Sequence, residues 1–274
     1  MFDALFTTTT EYKKLSHALS GKGACALFGL PASGRAQVYA ALCRQLDKPL
    51  CIVTPGEAEA TRFAADLNTL GIPAAVFPAR DYVLRPIEGT AREYEYRRLA
   101  VLGELVGGRL RAVAVPAEAL TQFTTPKEDF CANTRTLHAG DTLLRDDLLA
   151  ALFGAGYTRR AQVDGPGQFS VRGDIVDIFA PDQKMPVRME FWGDEIDTLH
   201  TFDLTTKRRE DAIDKFYLSP AREVLFGKPA DAAEQLRAFL AKQRGKKKTA
   251  MADCMAADLD LLDGGAVPVN MDKY

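Results

Sequence analysis

The chain has 274 residues, 47% apolar and 26% charged, a balance that fits a folded protein of two domains rather than one small one. Its formal net charge of −2 excludes a global attraction to DNA or anionic lipid, and no apolar run approaches the length of a membrane-spanning helix. Five cysteines are scattered without a CxxC pair and three histidines lie far apart, so no metal site is expected and the thiols read as reduced and structural, as in a cytoplasmic protein. The N-terminus, MFDALFTTTTEYKK, lacks the basic start and apolar core of a secretory signal. The C-terminus, VPVNMDKY, reads as a chain cut before its natural end.

Short apolar runs at 24–28, 50–54, 74–77 and 111–115 alternate with helical stretches at 35–46, 57–70 and 91–106. In those stretches Val38, Leu42 and Leu46, then Phe63, Leu67 and Leu70, then Leu99, Leu102 and Val106 recur at spacings of three and four, which place each set on one helix face. Unbroken apolar strands alternating with amphipathic helices predict a parallel sheet covered on both sides. Between the first strand and helix stands FGLPASGRA, close to the phosphate-loop pattern G-x-x-x-x-G-K-[ST]. Gly29, Ser33 and Gly34 keep the loop. Arg35 replaces the lysine that reaches the β- and γ-phosphates, and Ala36 replaces the hydroxyl that ligates Mg²⁺. Two readings stay open: a tight strand-to-helix turn that keeps glycines for geometry, or a loop with residual nucleotide binding. Neither predicts catalysis, and no catalytic residue is assigned.

The pattern changes near residue 125, at the polar joint TTPKED. One strand (TRTLHAG) and one helix (145–155) precede closely spaced strands at 157–163, 168–172, 174–180, 187–192, 195–203 and 213–218. Turn sequences such as DGPG, RGD and WGDE separate them, so an antiparallel meander is expected. A helix is predicted over 230–243, and the basic run RGKKKTA (244–250) reads as a solvated loop. Strand 187–192 alternates: Val187, Met189 and Phe191 share the core face, and Arg188, Glu190 and Trp192 the other. If the strands pair, Arg172 joins that outer surface. An Arg/Trp cluster has the composition of an interface hot spot, but it also fits a solvated sheet face with Trp192 folded under a loop.

The blocks GQFSVRGDIVDIF and VRMEFWGDEID, with Tyr157 and Arg159 before them, closely resemble the segment shared by the excision-repair protein UvrB and the bacterial transcription-repair coupling factors. The altered Arg35 and Ala36 resemble the second of these families, as does the segment ARDYVLRPIEGT (79–90), too short for the DNA-clamping hairpin that UvrB carries there. The resemblance implies an α/β fold: a degenerate RecA-like, P-loop-type parallel-sheet domain (1–124), then an α+β antiparallel-sheet UvrB-like interaction domain (125–226). Residues 227–274 would begin a return to a second RecA-like lobe. It implies that the outer sheet face binds the damage-recognition protein UvrA through Arg172, Arg188 and Trp192, with Arg159 and Glu190 as neighbours. Ser170 stands where UvrB has another arginine. It further implies a non-catalytic adaptor that recruits UvrA to stalled RNA polymerase and needs no cofactor here. ATP, Mg²⁺, RNA polymerase and double-stranded DNA would be engaged by C-terminal domains absent from this chain, one of which would mask the UvrA face. The competing readings are a nucleotide-driven DNA-translocating ATPase fragment and a direct damaged-DNA binder.

Overall fold

The computed structural model describes residues 6–21, 24–80, 92–224, 229–242, 250–264 and 268. The segments 79–90 and 244–250 singled out above fall almost wholly outside them. The chain divides into two compact units, Met1–Ala79 with Val101–Phe123, and Arg80–Ala100 with Thr124–Tyr274.

The first unit holds helix α1 (Thr10–Ser20), α2 (Ala32–Leu46), strand β1 (Leu50–Thr54), α3 (Glu57–Thr69), β2 (Ala74–Val76), the end of α4 (Glu93–Val106), β3 (Ala112–Pro116) and the short α5 (Ala117–Leu120). Its parallel sheet has the order β1-β3-β2. The middle strand, β3, is buried at every position, as a run of alanine and valine flanked on both sides must be. Helix α3 lays Ala60, Phe63, Ala64 and Leu67 into one core with Ile52, Ala112 and Ala114. Helix α1 is not predicted by the apolar pattern. It is marked instead by a polar signal: the Thr9 hydroxyl accepts from the Tyr12 backbone N–H at 3.3 Å. The expected first strand is a correction. Residues 24–28 are not a strand, and Leu27 and Phe28 are exposed. They have the apolar character of a strand but pair with nothing in the described sheet.

The second unit holds α6 (Lys127–Ala132), β4 (Arg135–His138), α7 (Arg145–Gly154), β5 (Thr158–Arg159), β6 (Gln168–Arg172), β7 (Ile175–Phe179), β8 (Val187–Trp192), β9 (Glu195–Phe202), β10 (Arg209–Ala212), β11 (Lys215–Leu218), α8 (Pro229–Lys242) and α9 (Ala250–Asp263). Its large sheet runs β10-β9-β8-β7-β6-β5. All neighbours are antiparallel except β5, which pairs parallel with β6. The pure meander expected above is corrected on two counts: that parallel edge, and β11, which leaves the sheet to pair with β4. Leu148 and Leu152 of α7 are fully buried against Phe169, Val176, Ile178, Met189, Ile196 and Leu199, the inner face of the sheet. The Tyr157 hydroxyl donates to the Ser219 carbonyl at 2.7 Å inside this core. Burial and the Asp182 carboxylate push its ionisation well above the ordinary range, so it stays neutral.

The sequence boundary at 124 places residues 80–100 in the first domain, but they group with the second unit, and Glu223 supplies the physical reason. The fully buried guanidinium of Arg98 donates two parallel bonds to its carboxylate, Nε to Oε2 at 2.8 Å and Nη2 to Oε1 at 2.8 Å. Arg80 approaches to 3.5 Å. The Glu223 backbone N–H donates to Glu95 at 2.9 Å, and its carbonyl accepts from the Thr125 hydroxyl. One residue thus ties three distant stretches of chain. Helices α8 and α9 pack on each other and on Val224 through Ala233, Leu236, Met255 and Leu262. Removing one partner of a buried ion pair leaves the other uncompensated, typically at a cost of about 3–5 kcal/mol. Glu223→Ala is therefore expected to lower stability by that amount in urea denaturation, and Glu223→Gln, which cannot neutralise Arg98, by most of it.

Candidate functional site

Strand register builds the outer face of the large sheet row by row. Ser170, Asp177, Arg188 and His200 stand directly across from one another on β6, β7, β8 and β9. Arg172, Ile175, Glu190 and Thr198 form the next row, and Trp192 faces Glu195 at the end. Cross-strand partners project to the same side, so Arg172, Arg188, Glu190 and Trp192 do share one face.

The organising group is Asp177, whose side chain is only 3% exposed. Arg188 donates to it twice, Nε to Oδ1 at 2.7 Å and Nη2 to Oδ2 at 3.0 Å. Arg172 donates Nη2 to Oδ2 at 2.7 Å from the neighbouring strand. The hydrogen bond to Asp177 raises the Arg188 pKa against the opposing effect of burial, so its charge is fixed. The Arg188 guanidinium also lies 4.8 Å from the centroid of the Phe202 ring. Phe202, Phe179, Val163 and Leu204 make a small second core over this end of the face. The expectation that all three candidates stand free of the core is therefore corrected for Arg188. Its side chain is 12% exposed, against 48% for Arg172, while Trp192 is 80% exposed as a residue. Trp192 is not folded under a loop.

Two hairpin tips place Arg172 and Trp192 at the same end of the sheet. Each is the last residue of its strand before a two-residue turn whose first position is a glycine at positive φ, Gly173 at 59° and Gly193 at 63°. Both tips are braced. Arg145 donates to the Gly173 carbonyl at 2.9 Å and to Asp174 at 3.0 Å. Leu143 N–H donates to the Asp194 carbonyl, and Gly140 N–H to that of Ile196, each at 2.7 Å. Glu190 is held by Arg209 of β10 and accepts from Thr198 at 3.3 Å. Arg145 and Arg209 are contributors that the sequence reading misses. Arg145 stands on a helix, and Arg209 on a short exposed strand without an apolar pattern. Arg159 is not brought to this site. It is exposed on β5 and pairs with Phe169, which puts it on the opposite side of the sheet from Ser170 and Arg172.

The phosphate-loop candidate has a different geometry from the motif. Gly29 does take a positive φ of 79°, but α2 already begins at Ala32, so Ser33, Gly34, Arg35 and Ala36 all lie inside its first turns. Pro31 precedes it without an N–H, and the Arg35 N–H is engaged by the Pro31 carbonyl at 3.0 Å. Ala36 is buried. The Arg35 side chain lies along α3, 3.8 Å from Glu59 and 5.8 Å from the Phe63 ring centroid. Among the described residues no His, Cys, Asp and Glu group has a metal-binding arrangement, and no helix is long and apolar enough to cross a membrane.

Residues 136–224 match the family model of the UvrB interaction domain. The chain is 26% identical over 257 residues to the transcription-repair-coupling factor of Bacillus subtilis (strain 168), an alignment covering 90% of this chain and 22% of that protein. It is 35% identical to the coupling factor of Myxococcus xanthus, over 72% of this chain and 17% of that one. The UvrABC system protein B of Chlorobium limicola (strain DSM 245 / NBRC 103803 / 6330) is 28% identical, over 77% of this chain and 32% of its own length. The chain thus spans between 17% and 32% of the length of these curated relatives. These matches confirm the resemblance to the UvrB-like region of the transcription-repair-coupling factors. The matched interval contains all of the outer face assembled above, from Arg172 to Trp192 and Arg209.

The three candidate arginine and tryptophan positions separate by what their removal leaves behind. Trp192→Ala removes an exposed ring and is expected to change stability by no more than about 0.5 kcal/mol. Arg188→Ala leaves the buried Asp177 carboxylate to Arg172 alone and is expected to cost about 2–3 kcal/mol. Thermal unfolding of the two variants side by side tests this contrast. Equal melting temperatures would refute the role given to Asp177.

Proposed function

We propose that the chain is a docking region of the transcription-repair-coupling-factor type, which recruits UvrA in nucleotide excision repair through the outer face of its UvrB interaction domain. In the complete protein this would bring UvrA to a stalled RNA polymerase. Polymerase and double-stranded DNA would be handled by segments outside this chain. The observation that carries the reading is Trp192, a large aromatic ring held in solvent on a braced hairpin tip beside the half-exposed Arg172. A rigid, exposed aromatic with a neighbouring arginine buries area at little entropic cost when a partner closes over it. Asp177 accepts one Nη of Arg172 and leaves the rest of its fork to reach a carboxylate on UvrA.

We read the first unit as a degenerate RecA-like domain without phosphoryl-transfer activity. Supporting that reading, Arg35 lies along Glu59 and Phe63, Ala36 offers no Mg²⁺ ligand, and Pro31 removes a backbone donor from the loop. The ATPase alternative requires Mg²⁺-dependent ATP hydrolysis that Arg35→Ala abolishes; a purified chain hydrolysing no faster than a blank excludes it. The damaged-DNA alternative requires a lesion preference that survives moderate salt.

The deciding experiment is titration calorimetry of UvrA with the chain and with Arg172→Ala and Trp192→Ala. Truncating a hot-spot residue costs roughly 2 kcal/mol or more, so each variant should bind about thirtyfold more weakly with unchanged melting. Retained affinity in both variants would move the UvrA site off this face.

A further inference from the structure

A second cluster of arginines in the same unit gathers Arg92, Arg160 and Arg222, with Glu95 nearby. A cavity of about 300 Å³ opens between the start of α4 and the β5–β6 edge, lined by Arg92, Tyr96, Thr158, Arg160, the Gly165–Pro166 turn and Gln168. We propose that this cavity is a phosphate-binding site.

The lining presents donors. The Gln168 amide oxygen is already engaged by the Asp164 N–H at 3.0 Å, which leaves its NH₂ for the cavity side, next to Gly165. Tyr96 lines the same cavity as Arg92, whose charge acts on its hydroxyl. Among the described residues no Asp or Glu oxygen lies within 4.0 Å of the guanidinium of Arg92, Arg160 or Arg222, whereas Arg172, Arg188, Arg98 and Arg145 each have such a partner. Arg222 lies close against Gly156, and its buried Nε has no hydrogen-bond partner among the described residues. Desolvation, and then the like charge of Arg92, lower its pKa, while Glu95 and Tyr96 oppose that effect. Glu95, the carboxylate among these groups, accepts from the Glu223 N–H. Repulsion between closely placed cations, with hydroxyl and amide donors alongside, is what a bound oxyanion relieves.

The glycine-rich turn sets the shape. Gly167 has a φ of 72°, and a Cβ there would stand 2.6 Å from the Tyr96 hydroxyl. The DGPG segment therefore lets Tyr96 approach and form one wall, a role beyond that of a simple strand break.

The test uses the intact chain and Arg160→Gln. Arg160 is exposed and has no ion pair among the described residues, so the variant should melt like the parent in potassium chloride. Potassium phosphate is titrated against potassium chloride at matched ionic strength. Phosphate stabilises most proteins modestly by exclusion from their surface, and the variant measures that background. The parent should show an additional, saturable rise in melting temperature, following the linkage of ligand binding to stability, that Arg160→Gln weakens at least tenfold in apparent affinity. An oligomer of eight thymidines without terminal phosphates forms a second arm. If it reproduces the rise below the phosphate concentration needed, the ligand is a polynucleotide backbone; if only inorganic phosphate acts, the ligand is a free phosphate group. Identical phosphate responses in parent and variant, or none beyond chloride in either, would overturn the proposal.

Discussion

The buried carboxylate of Asp177 is the interaction on which the outer face depends. It sits on the middle of three adjacent strands and takes three hydrogen bonds from the arginines on either side. Without it, Arg172 and Arg188, two strands apart but both reaching the same carboxylate oxygen, would be like charges with nothing between them. With it, each cation is offset and each side chain is held in one rotamer. Burying an ionised carboxylate is costly unless it is paired and hydrogen-bonded, and Asp177 meets both conditions. The result is a face whose charged groups are ordered before any partner arrives, so the entropic cost of binding is lowered in advance. Glu190 follows the same logic one row away, held between Arg209 and Thr198.

Much of this face is legible in the sequence because period-two alternation survives the fold. VRMEFW alternates, and the structure buries Val187, Met189 and Phe191 while turning Arg188, Glu190 and Trp192 outward. What alternation does not carry is how wet the outer side is. IVDIF on β7 is buried at its last four positions, including Asp177, because the Val163 and Leu204 segments fold over this end of the sheet. A strand whose two faces are both covered reads as a continuous apolar run with one anomalous acid, and nothing local says which distant arginines answer it. Arg159 shows the complementary failure. Its strand is parallel to β6, and in a two-residue strand the register that decides its face has no sequence signal.

Non-local charge pairing explains the remaining differences. On the helical pattern over 91–106, Arg98 reads as part of an ordinary polar face, yet it is fully buried because Glu223 lies 125 positions later in the chain. That pair holds the start of α4 to the unit that contains Glu223, a grouping that composition alone does not reveal. The apolar run at 24–28 is the reverse case. Its residues satisfy every local rule for a buried strand, but a strand is made by its neighbours, and none of the described strands pairs with it.

Arginines in this chain therefore sort by whether the fold itself supplies their counter-charge. Arg98 is consumed entirely by Glu223 and is part of the architecture. Arg188 is nearly so, and it fixes the geometry of Asp177 and, through Asp177, of Arg172. Arg172 is intermediate: one nitrogen is anchored and half the side chain is exposed, an arrangement suited to reaching a partner without losing its position. Arg160 and Arg222 lie at the other extreme: among the described residues neither has an ion pair within 4.0 Å, and Glu95 only partly offsets the effect of Arg92 on Arg222. Trp192 has no charge to satisfy, and its exposure is the corresponding apolar imbalance. Folding energetics favour removing both kinds of imbalance, by pairing a cation or covering a ring. Where a braced hairpin tip or a glycine turn holds such a group in place instead, the two proposed ligands follow from what the described residues leave unanswered: an apolar, carboxylate-bearing surface at Trp192 and Arg172, and an oxyanion at Arg160.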